Sequence, residues 1–157
     1  MAGYSASNDL GGTKQSISST YITLMALLAS NATSLRRYKI NEFTFGIPGT
    51  PADQAMEWDV SRVSADGTCT AITPPPLDSA DGAFIGVAKA NYTSEPTVTA
   101  NTNLWPAGIN QRATMRWVAV PGQELVIPAT NAAGLAWRAK SAGYTGAAKA
   151  NALFQQL

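Results

Sequence analysis

The feature that most constrains this chain is the spacing of its apolar residues. They alternate with polar ones over short runs, and turn-forming residues cut the runs about every ten positions. The clearest run has Met56, Trp58 and Val60 against Glu57, Asp59 and Ser61, the period of two that puts one set of side chains on each face of a strand. Tyr38 and Ile40 alternate with Arg37, Lys39 and Asn41, and then Phe43 and Phe45 take the opposite parity. That switch predicts a strand with a bulge near Asn41 or Glu42. Ala65-Asp66-Gly67 predicts a hairpin turn into a short strand over residues 68–73, which Pro74-Pro75-Pro76 must end because proline offers no ladder donor. Further β-type runs cover residues 84–90, 97–99, 113–120, 124–128, 134–140 and 150–154, with Pro121-Gly122 read as the turn of a second hairpin.

Two stretches leave the choice between strand and helix open. Residues 19–29 are apolar on both parities, ahead of a turn signal at residues 30–34, and the C-terminal stretch is rich in alanine. About eight to ten strands without a long amphipathic helix predict an all-β, antiparallel sandwich of jelly-roll type. Residues 1–18 are rich in Ser, Gly, Asn and Thr, too poor in large apolar groups for a core, and predict an extended N-terminal arm ahead of one sandwich domain over residues 19–157.

At 157 residues the chain suffices for one domain with one core. Charged residues make up 13% and the formal net charge is +1, so no field gathers phosphate backbones or anionic lipid. Neither nucleic acid nor membrane is an expected partner. So low a charge suits a protein packed against neighbours. No stretch reaches the length of apolar sequence that spans a bilayer, and the opening residues lack a basic region followed by an apolar one, which predicts cytoplasmic synthesis without export. In that setting the N-x-T sequons at Asn31 and Asn91 are chance matches. Cys69 is the single cysteine, which removes intrachain disulfides and cysteine-built zinc sites.

The chain contains no histidine, and with it go the commonest general base, the Ser-His-Asp arrangement and the commonest metal ligand. Glu57 and Asp59 would lie about 6–7 Å apart on one strand face, a glycosidase-like separation, but a solvated strand face is the ordinary reading. Asp78, Asp81 and Gly82 read as a turn, since the acidic spacing of a calcium loop is missing. Gly11-Gly12-Thr13-Lys14 has phosphate-loop residue types in the wrong order. Trp58, Trp117 and Trp137 sit at inward parity, as core residues do, while Trp105 lies between Leu104 and Pro106 as a candidate interface anchor. A carbohydrate- or receptor-binding module would use Trp105, Tyr92 and Tyr144. No catalytic residue, metal or cofactor is expected. The candidate interface residues are Tyr4, Leu10 and Lys14 on the arm, with Trp105.

Several segments together resemble a family of small head decoration, or cement, proteins of tailed bacteriophages. They are Tyr4-Ser-Ala-Ser7, Glu57-Trp-Asp-Val-Ser-Arg62, Thr73-Pro-Pro-Pro-Leu-Asp78, Ala90-Asn-Tyr-Thr-Ser-Glu-Pro-Thr97, Arg116-Trp-Val-Ala-Val-Pro-Gly-Gln-Glu124 and Gly134-Leu-Ala-Trp-Arg-Ala139. Each is short, and together they span residues 4–154. The resemblance implies a non-enzymatic jelly-roll protein on the outer capsid surface of the virion, bound to the major capsid protein and commonly trimeric. A tail or baseplate component is the structural alternative. With the arm ordering on a neighbour, removal of residues 2–16 should leave a folded protein that no longer binds particles.

Overall fold

A computed structural model describes residues 1–30, 34–50 and 52–157; the Asn31 sequon and most of the expected turn at residues 30–34 lie outside them. Among the described residues the chain is all β, in two antiparallel sheets. One runs β1 (Ala2–Ser7), β12 (Lys149–Gln156), β3 (Tyr38–Gly46), with β9 (Met115–Val118) and β10 (Leu125–Ile127) both on the free side of β3. The other runs β5 (Thr68–Ile72), β6 (Val87–Ser94), β2 (Ile22–Leu28), β11 (Gly134–Lys140), β4 (Ala55–Ala65), with β7 (Thr97–Asn103) and β8 (Ala107–Asn110) sharing the far side of β4. From β1 to β4 the chain alternates between sheets. After β10 it returns to insert β11 between β2 and β4, and β12 between β1 and β3. This interleaving of two Greek keys is a jelly roll, and β5 and β6 form an added wing beside β2.

The inward faces meet in an aromatic core. Trp58 stacks on Phe45 at 4.8 Å, Phe43 stacks on Trp117 at 4.9 Å, and Trp105 and Trp137 meet Phe43 edge-on. A second group, Tyr4, Tyr38, Phe84 and Phe154, closes the other end of the core. Such ring pairs add about 0.5–1.5 kcal/mol each beyond their buried area. Residues 22–28 form a strand because both of its faces are covered: Leu24, Met25 and Leu27 enter the main core, while Ala26 and Leu28 join Val63, Tyr92 and Ala136 in a smaller core on the opposite side. The alanines near the C-terminus are the inward positions of strand β12. The expected bulge is present: pairing with β12 steps from Leu153 opposite Glu42 to Phe154 opposite Ile40, which leaves Asn41 over.

Three expectations are corrected. Residues 1–18 are extended but do not stand off as an arm: β1 pairs with β12 along its whole length, and Tyr4, Ala6, Asn8 and Ile17 are buried. The amide group of Asn8 donates to Ala148 O at 2.9 Å and accepts from Ala150 N at 3.0 Å, while Asn91 Nδ2 donates to Asn8 O at 3.0 Å and to Gly11 O. Two short polar side chains and a few well-placed apolar ones therefore suffice to anchor a segment whose composition reads as free. Neither expected hairpin forms. β4 has β11 on one side and β7 with β8 on the other, so β5 pairs with β6 instead. β9 and β10 lie end to end along β3 as one interrupted edge strand. The interruption starts at the bulge, where Ala119 N donates to Asn41 O at 2.8 Å.

Candidate interaction surface

The two sheets differ in what lies on their outer faces. On β4, Asp59 and Ser61, expected on a solvated face, are buried. Arg138 on β11 is ion-paired with Asp59, Ser61 Oγ donates to Asp59 Oδ2 at 2.6 Å, and the Arg138 guanidinium lies 4.5 Å from the Tyr21 ring centre. The β6–β7 connection laps over the same face, with Glu95 Oε1 accepting from Thr23 N at 3.0 Å. The second sheet's outer face is thus largely occupied by the chain's own residues.

The outer face of the first sheet is covered less: among the described residues Leu77 lies over Gly3 at the β1 edge, where a Cβ would meet its Cδ1 at 3.1 Å, and the rest of the face carries no ion-paired layer of this kind. Reading across β1, β12, β3 and the β9/β10 edge, it presents Gly3, Gln155, Lys39 and Val126, then Ser5, Leu153, Glu42 and Val118, then Ser7, Asn151, Thr44 and Arg116. These side chains are small or neutral apart from two ion pairs. Arg116 donates to both Glu42 oxygens at 2.7 Å, which holds the Glu42 carboxyl below its ordinary range, and Lys39 lies 3.7 Å from Glu124. At the end of this face a cleft of about 320 Å³ opens between Ser7, Thr44, Ile47, Thr114 and Lys149. Asp9 on its rim is bound by Lys14 at 2.5 Å and Lys149 at 3.0 Å. The Lys14 contact first, and Lys149 second, hold the Asp9 carboxyl below its ordinary value.

The chain matches no protein-family model, no curated protein and no solved structure.

The residues singled out from the sequence scatter. Tyr4 is a core residue, with its hydroxyl donating to Gly82 O at 2.9 Å, so it offers no interface. Leu10 is exposed; Lys14 is consumed by Asp9; Trp105 is partly buried and packs against the main core instead of standing free. Tyr92 is buried at its ring, and Tyr144 donates to Ala147 O at 2.9 Å, so these two and Trp105 do not form a common aromatic platform. Glu57 and Asp59 do share a face, but Lys140 pairs with Glu57 at 3.1 Å and Arg138 with Asp59. Gly11 is required by packing: a Cβ there would meet the Ala90 Cβ at 2.8 Å. The sequon at Asn91 is buried in the amide network. Among the described residues no three His, Cys, Asp or Glu side chains are grouped to hold a metal. Sequence reasoning missed the open sheet face because its residues, glycine, serine, threonine and asparagine, look like turn formers one at a time.

Proposed function

We propose that this chain is a structural, non-enzymatic protein of a tailed-phage particle that docks on the outer capsid surface and stabilises the assembled shell. The observation that carries the reading is the contrast between the sheets: one outer face is filled by the chain itself, the other is charge-balanced and covered only at its β1 edge, by Leu77. A face of four strands and about eight residues covers about 500 Å², from a strand spacing of about 4.8 Å and a rise of about 3.4 Å per residue. That is below the roughly 800 Å² per partner of a stable protein interface, so one copy would bind weakly. Repetition over a shell offsets the deficit, since attached copies act at high local concentration and stabilise the assembled state by mass action. The near-neutral composition and the resemblance to head decoration proteins support the same reading.

The test is co-sedimentation with undecorated phage heads and, separately, with tails. Saturable binding to heads is expected, and Leu153→Arg with Gln155→Arg, both on the bare face, should abolish it without lowering the melting temperature. Binding to tails alone, or head binding unaffected by the double substitution, would overturn the reading.

A further inference from the structure

The molecule neutralises its charges internally with few exceptions. Every lysine is ion-paired, as are Arg112, Arg116 and Arg138, and Arg62 donates to Val126 O at 3.0 Å. Among the described residues Arg36 and Arg37 have no ion pair, and of the acids the same holds for Asp78, Asp81 and Glu95, the last held by Thr23. The two arginines and the two aspartates lie at one end of the sandwich. Leu157 N donates to Arg37 O at 2.9 Å, which puts Arg37 just beyond the start of β3, and Leu77 N donates to Gly3 O at 2.7 Å, which puts Asp78 beside the start of β1.

These opposite charges do not meet within one molecule because β1 and β12 lie between them. Three strand spacings separate the 75–77 segment from β3, about 14 Å, beyond the screening length of about 10 Å at 0.1 M salt. Each patch also carries an exposed leucine, Leu77 at 61% beside Asp78 and Leu35 at 37% beside Arg36. Met1, just before β1, and Leu157, just after β12, are also exposed and stand on the two strands between the patches.

We propose that this end binds a second copy of the chain about a two-fold axis. Both patches lie at the same end of the sandwich, so a two-fold set midway between them brings the acidic patch of each copy onto the basic patch of the other, as a self-complementary contact requires. Arg36 and Arg37 then meet Asp78 and Asp81 twice over, with Leu35 against Leu77 inside each charged rim. The contact touches the bare sheet face only at its β1 edge, where Leu77 lies over Gly3, and does not depend on head binding.

Light scattering on the full chain tests it. The expected mass is twice 16.4 kDa, with a dissociation constant that rises with salt. Arg36→Asp with Arg37→Asp makes both patches acidic, and Asp78→Arg with Asp81→Arg makes both basic. Each variant alone should associate at least about a hundredfold more weakly, since apposed like charges cost several kcal/mol. An equimolar mixture of the two should recover the dimer, which also shows that both variants are folded. A monomeric parent, an assembly of another order, or a dimer indifferent to both charge reversals would overturn the proposal.

Discussion

At the scale of single residues, stability is concentrated in polar groups that lost water and found partners. Asp59 is fully buried and Arg138 is 12% exposed, so removing one charge strands the other in a low-dielectric site. Asp59→Ala should cost about 3–5 kcal/mol in denaturant unfolding, whereas replacing both by apolar residues of similar volume should be close to neutral. The tyrosines carry a pH signature. Burial raises Tyr38 to about 12 and pushes Tyr92 up further, and Tyr4, Tyr21 and Tyr144 are also raised, again chiefly by burial. A phenol that holds its proton longer when folded binds more protons in the native state than in the unfolded one, so Tyr38 costs stability as pH rises from about 10 towards 12. Absorbance titration should show little phenolate near pH 10, followed by release that coincides with loss of the near-ultraviolet circular dichroism. A group of tyrosines titrating normally in the folded protein would contradict the buried aromatic end of the core.

At the scale of elements, β1 decides whether the first sheet has an edge. It supplies Tyr4 and Ala6 to the core, the Asn8 side-chain amide fastens its end to the start of β12, and the Asn8 carbonyl accepts from Asn91 on β6. Its outer side is blocked in turn by the proline segment, where Pro75 O accepts from Ser5 N at 3.1 Å. Prolines cannot donate but accept well, so they close an edge without extending the sheet. Removal of residues 2–16 should therefore unfold the protein instead of merely releasing it from particles, and Asn8→Ala should cost about 2 kcal/mol or more by stranding buried backbone groups. Thermal melts of both variants check this.

At the scale of the whole molecule, two surfaces are left over once the chain has satisfied itself: the bare sheet face and the charge-split end. They meet only at Leu77, which lies over Gly3 at the β1 edge of the bare face, so one molecule can dock through the rest of that face and self-associate at once. If both proposals hold, dimers should co-sediment with heads more tightly than the Arg36→Asp, Arg37→Asp variant, by the gain that linked attachment gives. Raising salt to 0.5 M should erase most of that advantage while leaving the binding of the separated copies less affected, because the bare face is charge-balanced. Titrations of heads at two salt concentrations measure both.

The sequence by itself determined the strand content, the bulge at Asn41 and the inward tryptophans. Each depends on residues close along the chain, where a period of two fixes which face a side chain takes. Only the tertiary structure decided which strands pair, since a strand flanked by a good turn still goes to whichever edge buries more, as β5 and β10 do. It also decided that Asp59 is buried, through a partner 79 positions away, and that the opening segment is an edge strand. The functional surfaces belong to this second class: a bare face and a set of unpaired charges are what remains after long-range packing, and no local pattern records a remainder.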